Sequence, residues 1–171
     1  MSNMDMVKNT LKSLLDPVAS TEERGPLTHA QRDALVEAMF QGSVAYKEPA
    51  EGTAATEAST QFFRALHALK IKRVTIQPQD ALTANDTNYK TVAVKKADGA
   101  AGSETVVASQ TTKITGGSGD WVDKTQFALA LSATLANLEL AAGEVLILDI
   151  AAAASGVATP EFIVNVDYEL I

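Results

Sequence analysis

The chain holds two histidines, His29 and His67, and imidazole is the side chain that most readily takes and gives protons near neutral pH. A nucleophilic site built on histidine also needs a poised Ser or Cys and an orienting carboxylate. There is no cysteine, which rules out a disulfide framework and thiolate metal sites. No Gly-x-Ser-x-Gly turn occurs either. His29 falls in the first turn of a predicted helix and His67 at the start of a predicted strand. Each is expected to be solvated or held in a structural hydrogen bond. Two histidines do not complete a three-His metal site, and no tight ligand spacing accompanies them. No cofactor, no metal and no catalytic residue are expected.

Carboxylates are the other source of acid–base chemistry, because an all-β fold can hold a glycosidase pair on a concave face. Asp149, Asp167 and Glu169 lie in or near predicted strands. By strand alternation Asp167 and Glu169 oppose Phe162, Val164, Val166 and Tyr168, which puts them on the solvent face, where Asp and Glu usually sit. Asn85-Asp86-Thr87-Asn88 offers oxygens to a calcium ion, although Asx-rich turns form without metal. The Gly-rich loop from Thr115 to Val122 lacks the Lys and the following helix of a phosphate-binding loop. Trp121, the one tryptophan, is an interface candidate that would anchor a partner, or equally a core residue closing one end of the fold. Lys70, Lys72 and Arg73 form a small basic patch that suits an acidic neighbour or blunts a sheet edge.

Composition sets the frame for these residues. Hydrophobic residues make up 46% of the 171 positions but aromatics only 5%, so the core must rely on Val, Ile, Leu and Ala. The net charge of −7 argues against sequence-independent nucleic-acid binding, which needs cations to displace counterions from phosphate. Met1-Ser2-Asn3-Met4-Asp5 shows no basic stretch followed by an apolar run, so no secretory signal is expected. The longest apolar stretches fall well short of a membrane span.

The pattern changes near residue 60. Met4, Val7, Leu11, Leu14 and Leu15 recur at three- and four-residue steps and draw one apolar stripe on a helix, which Asp16-Pro17 should end. Thr28 and Gln31 make a capping box for a second helix, with Leu35, Met39 and Phe40 on its apolar face and Gly42 able to close it. Residues 1–46 therefore read as a helical arm. Residues 47–60, small and polar with Pro49 and Gly52, read as a linker. From residue 61 to 171 the period is two. Ala65 to Gln77 reads as one long strand with a slip before Val74 that suggests a bulge. Further strands are expected at Tyr89–Lys96, Thr105–Ile114, Phe127–Leu131, Val145–Ile150 and Phe162–Tyr168. Asp98-Gly99, Gly116 to Asp120, Ala142-Gly143-Glu144 and Ser155-Gly156 carry the turns. The fold class this implies is mainly β: a jelly-roll-like antiparallel β-sandwich with a short helical N-terminal segment.

Particular stretches of this strand domain resemble a β-sandwich module of tailed-bacteriophage virion proteins. They are Asp80-Ala81-Leu82-Thr83-Ala84-Asn85-Asp86-Thr87-Asn88-Tyr89, Phe127-Ala128-Leu129, Leu138 to Leu146, Ser155-Gly156-Val157-Ala158-Thr159-Pro160 and Val164-Asn165-Val166-Asp167-Tyr168. The resemblance runs from about Leu66 to Ile171 and leaves the N-terminal helices outside it. It implies a capsid decoration (cement) protein that assembles, often as a trimer, on the outside of a phage head, with the major capsid protein as partner. Such a protein would be made in the host cytoplasm and end on the capsid exterior, with neither nucleic acid nor membrane as a partner. Met4, Val7, Leu11, Leu14, Leu15, Leu35, Met39 and Phe40 would then carry the docking contacts, and residues 1–60 would be removable without unfolding the sandwich. Two other readings are a different virion part, such as a head-fibre base, tail or glycan-binding module, and a small glycosidase.

Overall fold

Strands that must hide one face need apolar side chains at every second position, and that pattern generates most of this structure. The computed structural model describes residues 3–15, 19–20, 27–52, 58–98, 103–115 and 119–171. Two helices come first, α1 (Asn3–Leu15) and α2 (His29–Ala38), with a two-residue parallel pair between Ala19–Ser20 and Leu27–Thr28. Ten strands follow. They are β1 (Gln41–Glu48), β2 (Ala58–Arg64), β3 (Leu69–Pro78), β4 (Tyr89–Ala97), β5 (Thr105–Thr111), β6 (Phe127–Ala128), β7 (Ala130–Leu131), β8 (Glu139–Leu140), β9 (Val145–Ala153) and β10 (Phe162–Leu170). The chain divides into two units, Met1–Gly42 with Glu169–Ile171, and Ser43–Tyr168. Among the described residues no helix is long and apolar enough to cross a membrane.

The strands form two sheets. One has the order β8-β3-β10-β1, with β6 also on β3; the other has the order β2-β9-β4-β5-β7. The sandwich pairs with a described register are antiparallel. When the interrupted stretch from β6 to β8 is counted as a single sixth strand, the sheets read 1-8-3-6 and 2-7-4-5-6 in chain order, the sixth strand serving both. That interleaving is the wiring of a jelly roll. Sheet-to-sheet burial holds it together: Val92, Val94, Leu146, Leu148 and Ile150 come from one sheet and Ile71, Val74, Ile76, Phe162, Val164 and Val166 from the other, all buried.

The structure departs from the sequence expectations in several places. Helix α2 ends at Ala38, and Gly42 lies inside β1 rather than closing the helix. The arm and linker expected over 1–46 and 47–60 both surrender residues to strands, since β1 occupies Gln41–Glu48 and β2 begins at Ala58. In β1, Gly42, Val44, Tyr46 and Glu48 are more buried than their neighbours. A two-residue period with only two large apolar side chains is too faint to separate from a loop by eye. The single strand expected over Ala65–Gln77 starts four residues late, since residues 65–68 turn from β2, which ends at Arg64, into β3 at Leu69. Ala65 bonds Glu144 and Gly143 across that turn at 2.8 and 2.7 Å. The slip before Val74 is real, since Lys72 and Arg73 are consecutive exposed residues between buried Ile71 and Val74. Phe127–Leu131 is split as well. Its first half pairs with β3 in one sheet, its second with β5 in the other, and the Leu129 N–H bonds Val74 O at the crossing.

Lys90, on β4, was not singled out in the sequence, yet it shares parity with the buried Val92 and Val94 and is 0% exposed. Its Nζ donates to Glu51 Oε2 at 2.7 Å and to Gly52 O at 3.2 Å. Its backbone joins Thr112 through N–H to Oγ1 (2.9 Å) and through O from the Thr112 N–H (2.9 Å). The Glu51–Thr159 bridge completes the attachment, so the stretch after β1 is tied to the sheet through a buried charge.

Removing one partner of such a pair strands the other charge in low dielectric, so Lys90→Met should cost about 3–5 kcal/mol in chemical denaturation. Adding Glu51→Gln should recover most of that loss. A second test concerns Ala154, which has φ +52° in the turn after β9, a conformation that penalises Cβ. Ala154→Gly should therefore raise stability by about 0.5–1 kcal/mol.

Candidate docking surface

The sandwich places the residues first suspected of chemistry in structural roles. His67 is exposed in the 65–68 turn rather than at the start of a strand; the side chain of His29 lies outside the described residues. Asp149 pairs with Lys95 at 2.9 Å and Asp167 with Arg73 at 3.3 Å, across the outer faces of their sheets. The oxygens of the Asn85–Asn88 turn are taken by the protein's own donors. Asn85 Oδ1 accepts from Thr87 and Asn88 N–H, Asp86 accepts from Thr115 N–H and Oγ1, and Asn88 Oδ1 accepts from Ser155 N–H. The Thr115 bonds hold the Asp86 carboxyl below its ordinary pKa. Among the described residues no cluster of three His, Cys, Asp or Glu side chains is arranged to hold a metal.

Trp121, expected either as a partner anchor or as a core residue closing one end, is buried at 3% exposure. Its ring meets Phe162 edge-on at 5.4 Å and Phe127 at 5.7 Å, and its backbone bridges to Leu82. It closes one end of the sandwich, the second of the two expectations.

A buried acid lies at the end of β1. Burial pushes the Glu48 carboxyl above its ordinary pKa, with the nearby Glu51 charge adding to the rise and a hydrogen bond from Tyr46 opposing it.

The helical unit reverses the usual arrangement of an amphipathic helix. Lys8 and Lys12, one turn apart on α1, reach the two oxygens of Glu37 on α2 at 3.2 and 3.3 Å. Lys8 Nζ also lies 5.2 Å from the centre of the Phe40 ring, close enough for a cation–π contact. These bonds hold the Glu37 carboxyl below its ordinary pKa. At 100° per residue, the Lys8/Lys12 side of α1 lies well round the helix from Met6, Val7 and Leu14. The charged side of α1 therefore faces α2, and the apolar side is left outward.

Of the residues expected to dock, Val7, Leu14, Leu35 and Met39 are exposed, with Leu14 at 69% and Met39 at 61%. Met4 and Leu11 are half-buried, and the side chain of Leu15 lies outside the described residues. Phe40 is buried, with Val36, so it belongs to the packing of the unit and not to the open face. Met6, exposed beside Val7, was missed because it falls off the three- and four-residue stripe. Met6, Val7, Thr10 and Leu11 line a shallow apolar depression on α1.

No protein-family model matches the chain, and no curated protein gives a significant match. Among solved structures, a chain in the structure of infectious bursal disease virus, Gt strain, is similar at 13% identity with a TM-score of 0.27, over 76% of this chain. This chain spans 36% of the length of that one.

Glu37 makes a direct test of the helical unit. Because its folded pKa is lowered, its contribution is present above the unfolded carboxylate value of about 4.3 and is lost as pH falls through the folded value. Glu37→Gln should remove both ion pairs at once. Being partly exposed and screened, they should be worth no more than about 1 kcal/mol together. Amide exchange in α1 should accelerate several-fold in the variant at pH 7, with the sandwich amides unchanged, and the difference should vanish in acid.

Proposed function

We propose that this chain is a structural virion protein, a decoration (cement) protein that docks on the outer surface of the major capsid protein lattice of a phage head. The observation that carries the reading is the helical unit, which spends its charges internally on Glu37 and turns Met6, Val7, Leu14, Leu35 and Met39 outward. Contiguous exposed apolar side chains on a water-soluble chain are a liability unless something covers them. Two further points support the reading. The sequence from about Leu66 onward resembles decoration proteins. The strand order is a jelly roll, an architecture that capsid domains share with lectins and cupins, so the fold by itself leaves the function open.

The mechanism needs no chemistry, and no catalytic role is assigned to any residue. A protein that binds the assembled lattice and not its free subunits stabilises the assembly by mass action. A homo-oligomer, a trimer by the family resemblance, would engage several lattice points at once and gain avidity from shared geometry. The acidic chain is suited to neither nucleic acid nor an anionic membrane surface.

The test is co-sedimentation with phage heads lacking the protein, after light scattering has fixed its solution mass. Because β1 is part of the sandwich, a truncation must stop before Gln41; removing residues 1–60 would take an edge strand with it. The double variant Leu14→Asp/Met39→Asp changes only exposed positions and should leave the sandwich folded. It should weaken head binding at least about tenfold, or about 1.4 kcal/mol. Unimpaired binding by that variant would remove the helices from the docking surface. A monomer that ignores heads altogether would overturn the decoration reading.

A further inference from the structure

The sandwich holds a second feature, at the end of the strands away from Tyr168. Tyr168 packs its ring against Phe63. At the Pro78 end of β3, the Lys124 N–H bonds Pro78 O and Trp121 bridges to Leu82. There a cavity of about 350 Å³ is lined by Gln110, Asp120, Trp121, Val122 and Phe127, among others. That volume is at the small end of ligand pockets.

Two polar atoms of its lining residues have no partner: Trp121 Nε1 and Gln110 Oε1, both buried. An indole N–H can only donate and an amide oxygen can only accept, and buried polar groups are nearly always satisfied. Asp120 adds a carboxylate, of which Oδ1 accepts the Ala84 N–H at 2.7 Å and which retains capacity for further donors. Phe127 and the exposed side chain of Val122 supply apolar wall.

We propose that this cavity binds a neutral saccharide, a single pyranose ring or the end of a short glycan. A hydroxyl both accepts and donates, so a hydroxyl-bearing ring can answer the indole N–H, the amide oxygen and the carboxylate, with its C–H face against Phe127 and Val122. The side chain of half-buried Gln110 brings its amide to the ring by rotating about its own bonds. Other ligand classes fit less well. An anion meets Asp120 and a net charge of −7. A cation leaves the indole N–H unanswered, and an apolar ligand leaves both orphaned atoms so. An extended peptide needs a groove rather than a compact hollow.

Trp121 is the only tryptophan, so its fluorescence reports on this cavity alone. The full chain, free of heads, is titrated with glucose, galactose, mannose and N-acetylglucosamine, which keeps the test independent of lattice docking. At least one sugar should give a saturable change in the millimolar range. Gln110→Ala should weaken it at least about tenfold. Val122→Arg, a change at an exposed position that fills the mouth, should do the same with the melting temperature retained. No saturable change with any of the four sugars would overturn the proposal and leave the two orphaned atoms to water. A change that both variants leave intact would overturn it too, by placing the binding elsewhere.

Discussion

The contact between the two sheets is the constraint on which everything else in this protein rests. With few aromatic residues, the interior is filled by branched aliphatic side chains, and each is small. Burial of about 25 cal/mol per Å² of apolar surface can hold the fold only if every long strand delivers its apolar face to the same interlayer. The interleaved strand order achieves this, because successive strands in the first half of the sandwich cross from one sheet to the other. Phe127, Trp121 and Phe162 close one end where the aliphatic residues run out. Lys90 is the largest polar side chain in the interior, tolerated because Glu51 and Gly52 meet its ammonium group.

That constraint also explains what was legible in the sequence. Of the strands that supply the interlayer, β3, β4 and β10 carry two-residue periods, β5 is rich in β-branched residues and β9 is a nearly continuous apolar run, and the sequence placed them within a few residues. The edge strands were the ones misread. β1 buries only part of one face and β2 lies in a polar setting, so the local pattern of neither is distinct from arm or linker. Phe127–Leu131 reads as one strand because its alternation is unbroken; that it serves two sheets depends on where β3 and β5 lie, which no local pattern encodes. Lys90 was legible in principle, since its parity with Val92 and Val94 points it inward.

The proposed docking surface was partly legible for a different reason. Helical spacing told which residues share a face, but not which face turns inward. A stripe of Val7, Leu11 and Leu14 is ordinarily the buried one. Here a single carboxylate, Glu37, collects two lysines on the side facing α2, and Val7 and Leu14 of the stripe are left exposed while Leu11 is half-buried. The cavity proposed to take a saccharide was signalled only by Trp121, because Gln110 and Trp121 line it together only through the tertiary fold. An aliphatic sandwich and a helical unit with exposed Met6, Val7, Leu14, Leu35 and Met39 are the physical basis for reading this chain as a structural module.

The most direct measurement is hydrogen exchange of the full chain, free and bound to heads. The account predicts new protection over residues 4–14 and 30–39, with the interlayer strands β3, β4 and β9 unchanged between the two states. Protection confined to the sandwich loops, with the two helices exchanging as they do in the free protein, would contradict it.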